Sequence, residues 1–475
     1  MDAIARDGSL QPYPKELLLE RAQFVSSTAI DEHLLPVLRE ESLKFSQNRA
    51  EAAVARAREN FTEYGLAGPA YVTEAEAVAE LLFDRQFSRK ANRTRSRRGV
   101  RDEVALRLAD DRRIRLVMPA LPFKILCPLK ARGVRPDLAE VDLILSLFEI
   151  AHAIEVIPRL LSDASERIAA RFVVISDGRR FASIVNVPSE VIEEYRIAVE
   201  GWILRLGVQK HVGILDYWDL LNERLPDQVL DEKQRITSTA RELYYDRLRP
   251  AFDIHDMKGC LVASRALEPD PEIENPEGRF AALFKSLIYT VNYRSLEELA
   301  LPIEQHYSVY REMTASLFAA RDATERLAGS SLSKEALRKA MLREVWQATI
   351  EYMAEIKSDR DLENDPVLTS IPDAIRWTIH AKAGQFAIMT PSIQGAFVQA
   401  WAGSGFIRRT KRGSLRLGSY PVLGLEGRNA IPVFESSAGK AHAQPLFYID
   451  SEVGHIDIES LAGELSRSST RRRLR

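Results

Sequence analysis

A proline-rich segment at 118–130, MPALPFKILCPLK, holds two lysines whose type and spacing could serve catalysis. Each proline ring fixes its own φ and restricts the preceding residue, so the segment should hold Lys124 and Lys130 in fixed positions. A lysine in apolar surroundings can have a lowered pKa and act as a base or imine former, or it can grip a phosphate as a point charge. For such a role we expect replacement of either lysine to leave thermal stability almost unchanged, because a loop lysine contributes little to packing. The alternative is two exposed lysines on a loop.

A second candidate segment, VVISDGRRF at 173–181, places polar residues where a short β-branched run ends. Ligand-binding groups of α/β proteins usually lie at this point, just after a strand. Ser176 and Asp177 are therefore candidates for contact with a ligand. The alternative is an ordinary Asp-Gly turn, which needs no ligand to explain it.

A third candidate segment, IPDAIRWTIH at 371–380, has the pattern of a strand. In a strand, Arg376, Thr378 and His380 share one face because side chains alternate with a period of two. A cation, a hydroxyl and an imidazole on one face suit a phosphorylated or carboxylated ligand. An isolated histidine is more often structural, and that alternative stays open.

The sequence gives little support for a metal site. Asp253, His255 and Asp256 lie close together in FDIHDMKGC, but a second histidine or cysteine at ligand spacing is missing. The sequence also lacks a glycine-rich phosphate loop, a nucleophile elbow and a paired zinc motif. We therefore expect no metal ligands.

The elements that must position these residues follow from the hydrophobic pattern. RIRLVM alternates like a strand, and VDLILSLFEIAHAI has apolar residues at helical spacing. RFVVIS has the form of a buried strand, and VGILDYWDLL is a further change from strand to helix. Such alternation predicts an α/β fold, with a Rossmann-like mixed sheet flanked by helices.

Further regions are predicted around this core. Residues 1–108 are expected to form a helical N-terminal extension with a basic loop, and residues 109–450 the catalytic α/β domain, interrupted by a helical insertion at 225–360. Short strands after the insertion, from AIRWTIH to PLFYID, are separated by glycine or proline and predict antiparallel hairpins. Residues 451–475 are predicted to be a partly disordered tail.

Composition and charge indicate the class of protein. A net charge of −2 gives no reason to expect nucleic acid or an acidic membrane as the main partner. Two cysteines and the lack of a signal peptide or a long apolar run predict a cytoplasmic protein. The basic run RKANRTRSRRGVR at 89–101 could bind phosphate or RNA, or it could be a solvated loop offset by acidic helices. It has no aromatic residues for base stacking, which argues against the binding of nucleic acid.

Three of these motifs, in order and in register, resemble one family. The run MPALPFKILCPLKARGVRPDLAE is similar to the signature of the pyoverdine/dityrosine biosynthesis family, the isocyanide (isonitrile) synthases. ISDGRRF and the later Tyr195 resemble the family's next segment, and IPDAIRWTIH resembles a later strand. The matching residues of the first run include Pro119, Pro122, Lys124, Lys130, Asp137 and Glu140.

The sequence also departs from the family pattern, which predicts a divergent member. Ile125 and Cys127 stand where the family usually has Ser and Asn, and Ser183 stands where an acidic residue usually follows the Phe. Near the last strands, Trp401 is kept but Ala402 takes the place of a His. An altered substrate or an altered reaction therefore stays open.

The resemblance implies an enzyme that converts the α-amino group of an amino acid to an isonitrile. Ribulose 5-phosphate would supply the carbon as co-substrate, with no metal or redox cofactor. It implies catalytic roles for Lys124, Asp177 and His380, and a downstream oxygenase or peptide synthetase as pathway partner. Asp137 is expected to cap the helix that begins at Leu138. The residues implied in holding phosphate or carboxylate are Lys130, Ser176, Arg179 and Arg376.

Two other interpretations remain. The protein could make a different carbon–nitrogen product from an amino acid and a phosphosugar, or it could bind a related ligand without catalysis. A role in binding nucleic acid through residues 89–101 ranks last.

Overall fold

A computed structural model describes most of the chain, in segments that leave gaps. The described residues are 22–63, 73–88, 96–124, 135–161, 167–185, 187–224, 226–248, 287, 334–361, 371, 373–379, 385–388, 400–409, 413, 415–421, 430–437, 440–454 and 457–468. The strands are β1 (Gln23–Ser26), β2 (Arg113–Pro119), β3 (Ala169–Ser176), β4 (Val212–Asp216), β5 (Ile375–Thr378), β6 (Phe386–Ala387), β7 (Gly403–Arg409), β8 (Leu415–Pro421), β9 (Ile431–Ser437) and β10 (Lys440–Ile449). The main helices are α1 (Leu35–Glu63), α2 (Glu74–Leu82), α3 (Arg97–Asp110), α4 (Leu138–Leu161), α5 (Gly178–Val185), α6 (Ser189–Arg205), α7 (Tyr217–Arg224), α8 (Asp227–Leu248), α9 (Lys334–Asp361) and α10 (Ile458–Ser468).

The first sheet is parallel, with strand order β4-β3-β2-β5-β6. It confirms the predicted α/β fold. The chain runs from β2 through β3 to β4 on one side and returns through β5 to β6 on the other side of β2. The order therefore reverses between β2 and β5, and open α/β sheets bind ligands outside the carboxyl ends of strands at such a reversal.

The second sheet is mixed, with strand order β1-β9-β10-β7-β8. The predicted antiparallel hairpins are present as β7–β8 and β9–β10, but β10 pairs with β7 in parallel. The expectation of an antiparallel arrangement was wrong for β5 and β6, which continue the parallel sheet. Trp377 and Phe386 are fully buried in those two strands. A short apolar run bounded by glycine or proline does not specify the direction of its neighbour, which explains the error.

Helix α4 packs against both sheets and forms the centre of the core. It contacts β3 and β4 of the first sheet and β7, β8 and β10 of the second. Every residue from 138 to 151 is buried. A helix that is buried around its whole circumference needs neighbours on all sides, and the two sheets together with α1 provide that cover.

The N-terminal elements pack onto the same core. Their described part is mainly helical, and α1 packs along α4. A wider turn of π type at Ile30–Leu34 precedes α1, where Pro36 cannot donate a backbone hydrogen bond. Strand β1 was not predicted; it pairs in parallel with β9 of the second sheet. The domain boundary near residue 108 stays a prediction.

Candidate functional site

The proline-rich segment leaves β2 at the carboxyl edge of the first sheet and is held there by β3. The backbone N–H of Ala120 donates to the carbonyl of Ile175 at 3.1 Å, which extends the pairing of the two strands. Leu121 then adopts a φ of 54°, in the left-handed region that a leucine rarely occupies. The hydroxyl of Ser176, at the end of β3, donates to the carbonyl of Leu121 at 3.1 Å. Ser176 therefore fixes the segment at its strained residue.

Gly178, the first residue of α5, allows the segment to pass close by. A Cβ at this position would lie 1.9 Å from the carbonyl oxygen of Pro122. Only a residue without a side chain fits there, because no Cβ can approach a backbone oxygen so closely. The Ser-Asp-Gly motif is thus partly explained by packing. The expected turn after Asp177 is in fact the start of a helix.

Lys124 is fully buried, so the alternative of an exposed loop lysine is wrong for this residue. Its ammonium donates to both carboxylate oxygens of Glu140, at 2.7 and 2.8 Å, and to the carbonyl of Ala400 at 3.0 Å. It also forms an ion pair with Oδ2 of Asp137 at 3.1 Å. The sequence predicts apolar surroundings for Lys124, whereas the structure places two carboxylates around its ammonium.

Asp137 and Glu140 form the start of α4. Asp137 caps the helix as predicted, because its Oδ1 accepts from the backbone N–H of Ala139 at 2.8 Å. Glu140 reaches back and accepts from the N–H of Asp137 at 2.7 Å, which completes a reciprocal cap. Oδ1 of Asp137 also accepts from the N–H of Gly405 in β7 at 3.1 Å. The pair thus joins Lys124, α4 and the second sheet.

Tyr195 of α6 completes this group, which we call the Lys124 network: Lys124, Asp137, Glu140 and Tyr195. The hydroxyl of Tyr195 donates to Oε1 of Glu140 at 3.0 Å. Burial raises the pKa of Glu140 to about 7. The ammonium of Lys124 lowers this pKa by a smaller amount, and the negative charge of Asp137 raises it. Burial and the charge of Glu140 raise the pKa of Tyr195 well above its usual value. Near neutral pH the network can therefore gain or lose a proton at Glu140.

A second polar cluster lies at the ends of β3 and β4. Ser176 and Asp216 are paired in register across the two strands. Arg179 forms ion pairs with Asp219 at 3.1 Å and with Asp216 at 3.7 Å. The arginine that was predicted to hold phosphate is therefore already paired with two carboxylates. Asp177, which lies between Ser176 and Arg179 in sequence, is half-buried.

Asp216 is a site candidate that sequence reasoning missed. Its Oδ1 accepts from the backbone N–H of Trp218 at 2.8 Å, and burial raises its pKa. Within the described part of the chain, its buried Oδ2 has no hydrogen-bond donor in reach. The available signal was an aspartate directly after the strand VGILD, next to the end of β3.

The third predicted segment is described only in part. Arg376 and Thr378 share a face of β5, as predicted, and Arg376 is half-buried beside Val117 of β2. Trp377 points to the opposite face, where it stacks on Phe386 with ring centroids 5.1 Å apart. Lys130 and His380 lie outside the described residues, as do Asp253, His255 and Asp256. The structure thus places Arg376 at the strand-order reversal.

The predicted site residues therefore fall into separate groups. Lys124 and Ser176 are joined through the proline-rich segment, whereas Arg179 lies with Asp216 and Asp219. Glu140 and Tyr195 were known only as parts of sequence motifs, and their contact with Lys124 was not predicted. The signal for Glu140 was the Pro-Asp-x-x-Glu spacing, which matches a helix cap, whereas the position of Tyr195 beside it had no local signal.

Three further predictions concern metals, membranes and nucleic acid. Across the described segments, no group of three or more His, Cys, Asp or Glu side chains is arranged to hold a metal ion. None of the helices in those segments is long and apolar enough to span a bilayer. The described part of the basic run forms the start of α3, where Arg97 pairs with Glu80 at 3.0 Å and Arg101 pairs with Asp102 at 2.7 Å. Acidic side chains thus pair with these two arginines, but the described part of the run is helical and not the predicted loop. The absence of nucleic-acid binding stays a prediction.

Comparison with known proteins supports the resemblance found in the sequence. Residues 104–258 match the model of the pyoverdine/dityrosine biosynthesis protein family, a range that includes the whole Lys124 network. Among solved structures, the chain is similar to the PvcA protein from Pseudomonas aeruginosa, with 16% sequence identity and a TM-score of 0.44. That alignment covers 78% of this chain and 99% of the other. No curated protein matches the chain.

Proposed function

Because residues 104–258 carry the signature of the pyoverdine/dityrosine biosynthesis proteins, we propose that this protein is an isocyanide synthase-like enzyme. It converts the α-amino group of an amino acid to an isonitrile, and ribulose 5-phosphate donates the carbon. It acts in the cytoplasm, in secondary metabolism. A downstream oxygenase or peptide synthetase uses the product, because an isonitrile is an intermediate that such enzymes can elaborate.

The observation that carries this proposal is the convergence of the family motifs on one place in the fold. Lys124 and Glu140 come from the first motif, Ser176 from the second, and Tyr195 follows it in sequence. The Lys124 network connects the first motif to Tyr195, and Ser176 holds the backbone just before Lys124. All of this lies at the carboxyl edge of β2, beside the reversal of strand order, where α/β sheets bind ligands.

The proposed reaction needs groups that move protons. The amine attacks the C2 carbonyl of the sugar, a carbon–nitrogen bond forms, and water leaves to give an imine. The imine and its enamine interconvert when a proton leaves the carbon next to C2 and another is added to nitrogen. The isonitrile forms when both carbon–carbon bonds of C2 break: C1 leaves as an aldehyde and gives its bonding electron pair to C2, and C3 leaves with its bonding pair and takes up a proton. Each proton transfer is faster with an acid or base whose pKa lies near the working pH. A pKa of about 7 at Glu140, next to Lys124, suits this demand.

The substrate-binding roles are assigned on the same basis. We place the charged ends of the substrates against Lys130 and Arg376, since cations bind phosphate and carboxylate strongly. Asp177, with Asp216 beside it, orients the amine, and His380 is the second acid–base group. Ser176 acts mainly by holding Leu121, and Arg179 by pairing with Asp216 and Asp219.

A second candidate function is favoured by the burial of Lys124. Its ammonium is surrounded by Glu140, Asp137 and the carbonyl of Ala400, and 1% of the residue is exposed. A lysine held this way can stabilise the fold without touching a substrate. On this basis the protein could bind a phosphosugar or an amino acid without catalysis.

Incubation with ribulose 5-phosphate labelled with ¹³C at C2, together with each amino acid in turn, tests the proposal. We expect one amino acid to yield a product with the mass of its isonitrile and one ¹³C, with and without a chelator. Asp177→Asn serves as the control with impaired turnover. Binding of ribulose 5-phosphate without any labelled product would favour the non-catalytic candidate. Loss of activity with chelator and its recovery with zinc or iron would contradict the proposal.

A further inference from the structure

Helix α5, which follows the Ser-Asp-Gly motif, is fastened to the predicted helical insertion by a buried arginine. The side chain of Arg180 is 4% exposed. Its Nη2 donates to Oε2 of Glu355 at 2.7 Å and to the backbone carbonyl of the same residue at 2.8 Å, and its Nε donates to Oε2 at 3.1 Å. Three hydrogen bonds from one guanidinium to one residue fix both its position and its orientation.

Further contacts reinforce this connection. Lys233 of α8 approaches Glu355 at 3.3 Å and donates to the hydroxyl of Ser358 at 2.7 Å. The ring of Phe181 stacks on that of Tyr352 of α9, with centroids 3.7 Å apart. We call Arg180, Phe181, Lys233, Tyr352, Glu355 and Ser358 the α5 clamp. It joins three helices, and two of them belong to the predicted insertion.

The electrostatics of the α5 clamp keep Glu355 ionised. Burial alone raises the pKa of this carboxyl group, but Arg180 and Lys233 outweigh it and hold the pKa below its usual range. Arg180 also lies over the ring of Tyr217 in α7, 4.7 Å from the centroid. The guanidinium of Arg180 is thus enclosed by the carboxylate of Glu355 and the ring of Tyr217. A neutral side chain at position 355 would not supply the charge that pairs with it.

The clamp acts on residues assigned to the site. Asp177 precedes α5, and Arg179 is the direct neighbour of Arg180. At the other end, Gly178 leaves no room for a shift toward the proline-rich segment, since the carbonyl of Pro122 lies in the path of a Cβ. Helix α5 is therefore fixed on one side by Pro122 and on the other by Glu355. A change on either side moves Asp177.

We infer that Glu355 is a positioning residue for the proposed reaction, and that the insertion helices α8 and α9 serve to hold Asp177 and Arg179 in register with the proline-rich segment. This inference rests on the proposed function. It assigns the insertion a task in catalysis although its helices contribute none of the predicted catalytic residues.

The chain offers a matched control one helical turn away. Glu351, also on α9, pairs with Arg241 and lies 3.4 Å from the hydroxyl of Tyr245, both on α8. Glu351→Gln therefore weakens a contact between α8 and α9 alone, whereas Glu355→Gln weakens the contact of α9 with α5 in addition to a contact with Lys233 of α8. Comparing the two variants separates a general loss of stability from a loss of positioning. Arg180→Lys keeps the charge but removes the fork of donors, and it provides an independent second variant.

The test measures kcat and KM of the folded variants, together with hydrogen exchange of the backbone amides of 177–185. We expect Glu355→Gln and Arg180→Lys to lower kcat by about 10²-fold with a smaller change in KM, since a misplacement of about 1 Å can cost this much. Amide exchange in 177–185 should become faster. Glu351→Gln should stay within about twofold of the wild type in both measurements.

The outcomes distinguish this inference from the proposed function. Equal kcat values for Glu355→Gln and Glu351→Gln, in an active enzyme, would overturn the inference. If the wild-type protein makes no isonitrile, the proposed function fails, and the exchange data alone decide whether α9 positions α5. Unchanged exchange in Glu355→Gln and Arg180→Lys would then refute the inference.

Discussion

At the scale of single residues, Lys124 is enclosed by oxygen atoms of its own chain. Removing its ammonium leaves Glu140 and Asp137 facing each other without a buried cation. The cost of such a change is dominated by the charges left behind, because a carboxylate without its partner is poorly solvated in the protein interior.

Lys124→Met should therefore lower the free energy of unfolding by about 3–5 kcal/mol, as for other broken buried ion pairs. This value replaces the expectation that a loop lysine hardly affects stability. The measurement is urea denaturation at pH 8. Lys210→Met is the control, since Lys210 also pairs with a glutamate, Glu155, but its side chain is 70% exposed; it should cost less than about 1 kcal/mol. Equal effects of the two variants would show that the Lys124 network contributes no more than a surface pair.

The raised pKa of Glu140 gives the protein a particular dependence on pH. The folded state binds the proton with a pKa of about 7, above the ordinary value of 4.5. Binding of this proton by Glu140 therefore stabilises the folded state, fully so below pH 4.5, and the stabilisation is lost as the pH rises through 7. From the difference between the two pKa values, the loss is on the order of 3 kcal/mol.

Glu140→Gln tests this dependence, because glutamine cannot release the proton. Between pH 5 and pH 8, the wild type should lose stability relative to Glu140→Gln, as measured by urea denaturation at each pH. Above pH 8 the difference between the two proteins should become constant. A difference that does not vary with pH would contradict the pKa of about 7.

At the scale of elements, two glycines in neighbouring helices differ in what surrounds them. Gly178 begins α5 against the carbonyl of Pro122, whereas a Cβ on Gly201, within α6, would meet nothing within 4 Å. Gly178→Ala should lower stability by about 1–3 kcal/mol or more, because the proline-rich segment or α5 must move. Turnover should fall with it, since Asp177 adjoins this contact.

Gly201→Ala is the matched control for this prediction. Alanine in a helix with free space around it should raise stability by about 0.5–1 kcal/mol. Thermal denaturation of both variants and of the wild type provides the comparison. A Gly178→Ala variant that is as stable and active as the wild type would mean that the proline-rich segment is not held tightly.

How far the sequence predicts these elements depends on how local the signal is. Strands β2, β3 and β4 and helix α4 follow from their own residue patterns, and so does the cap at Asp137. The direction of β5 and β6 was predicted wrongly because it depends on neighbours distant in sequence. The Lys124 network has the same character, since Tyr195 lies 55 residues from Glu140 and Ala400 lies 276 residues from Lys124. No local pattern specifies such contacts.

At the scale of the whole molecule, the two sheets share one core. Residues of both sheets belong to a single cluster of buried side chains, with α4 between them. Gly405 of β7 is a point of close contact, since a Cβ there would lie 2.6 Å from the Cβ of Leu138. The same glycine donates its N–H to Asp137. Packing and polar contacts thus coincide where the second sheet meets the Lys124 network.

Gly405→Ala should therefore weaken both sheets together, by about 1–3 kcal/mol. Urea denaturation followed by tryptophan fluorescence and by far-ultraviolet circular dichroism should give coincident single transitions, shifted to lower urea. Gly463→Ala is the control, because Gly463 in α10 has open space around it and should not lose stability. Two separate transitions in Gly405→Ala would show that the sheets unfold independently.

The pairing of β1 with β9 also determines when the molecule can be completed during its synthesis. Gln23–Ser26 lies beside Val433–Ser436, and the hydroxyl of Ser27 reaches the carbonyl of Ser436 across 409 residues of chain. A ribosome adds about 5–20 residues per second, so β1 waits for its neighbour for about 20–80 s. Until β9 has been synthesised, neither edge of β1 has the strand partner of the folded sheet, and Phe24 lacks the ring of Phe434 on which it stacks, with centroids 5.6 Å apart. Strand β1 therefore precedes all the other strands in the chain but is among the last that can join the second sheet.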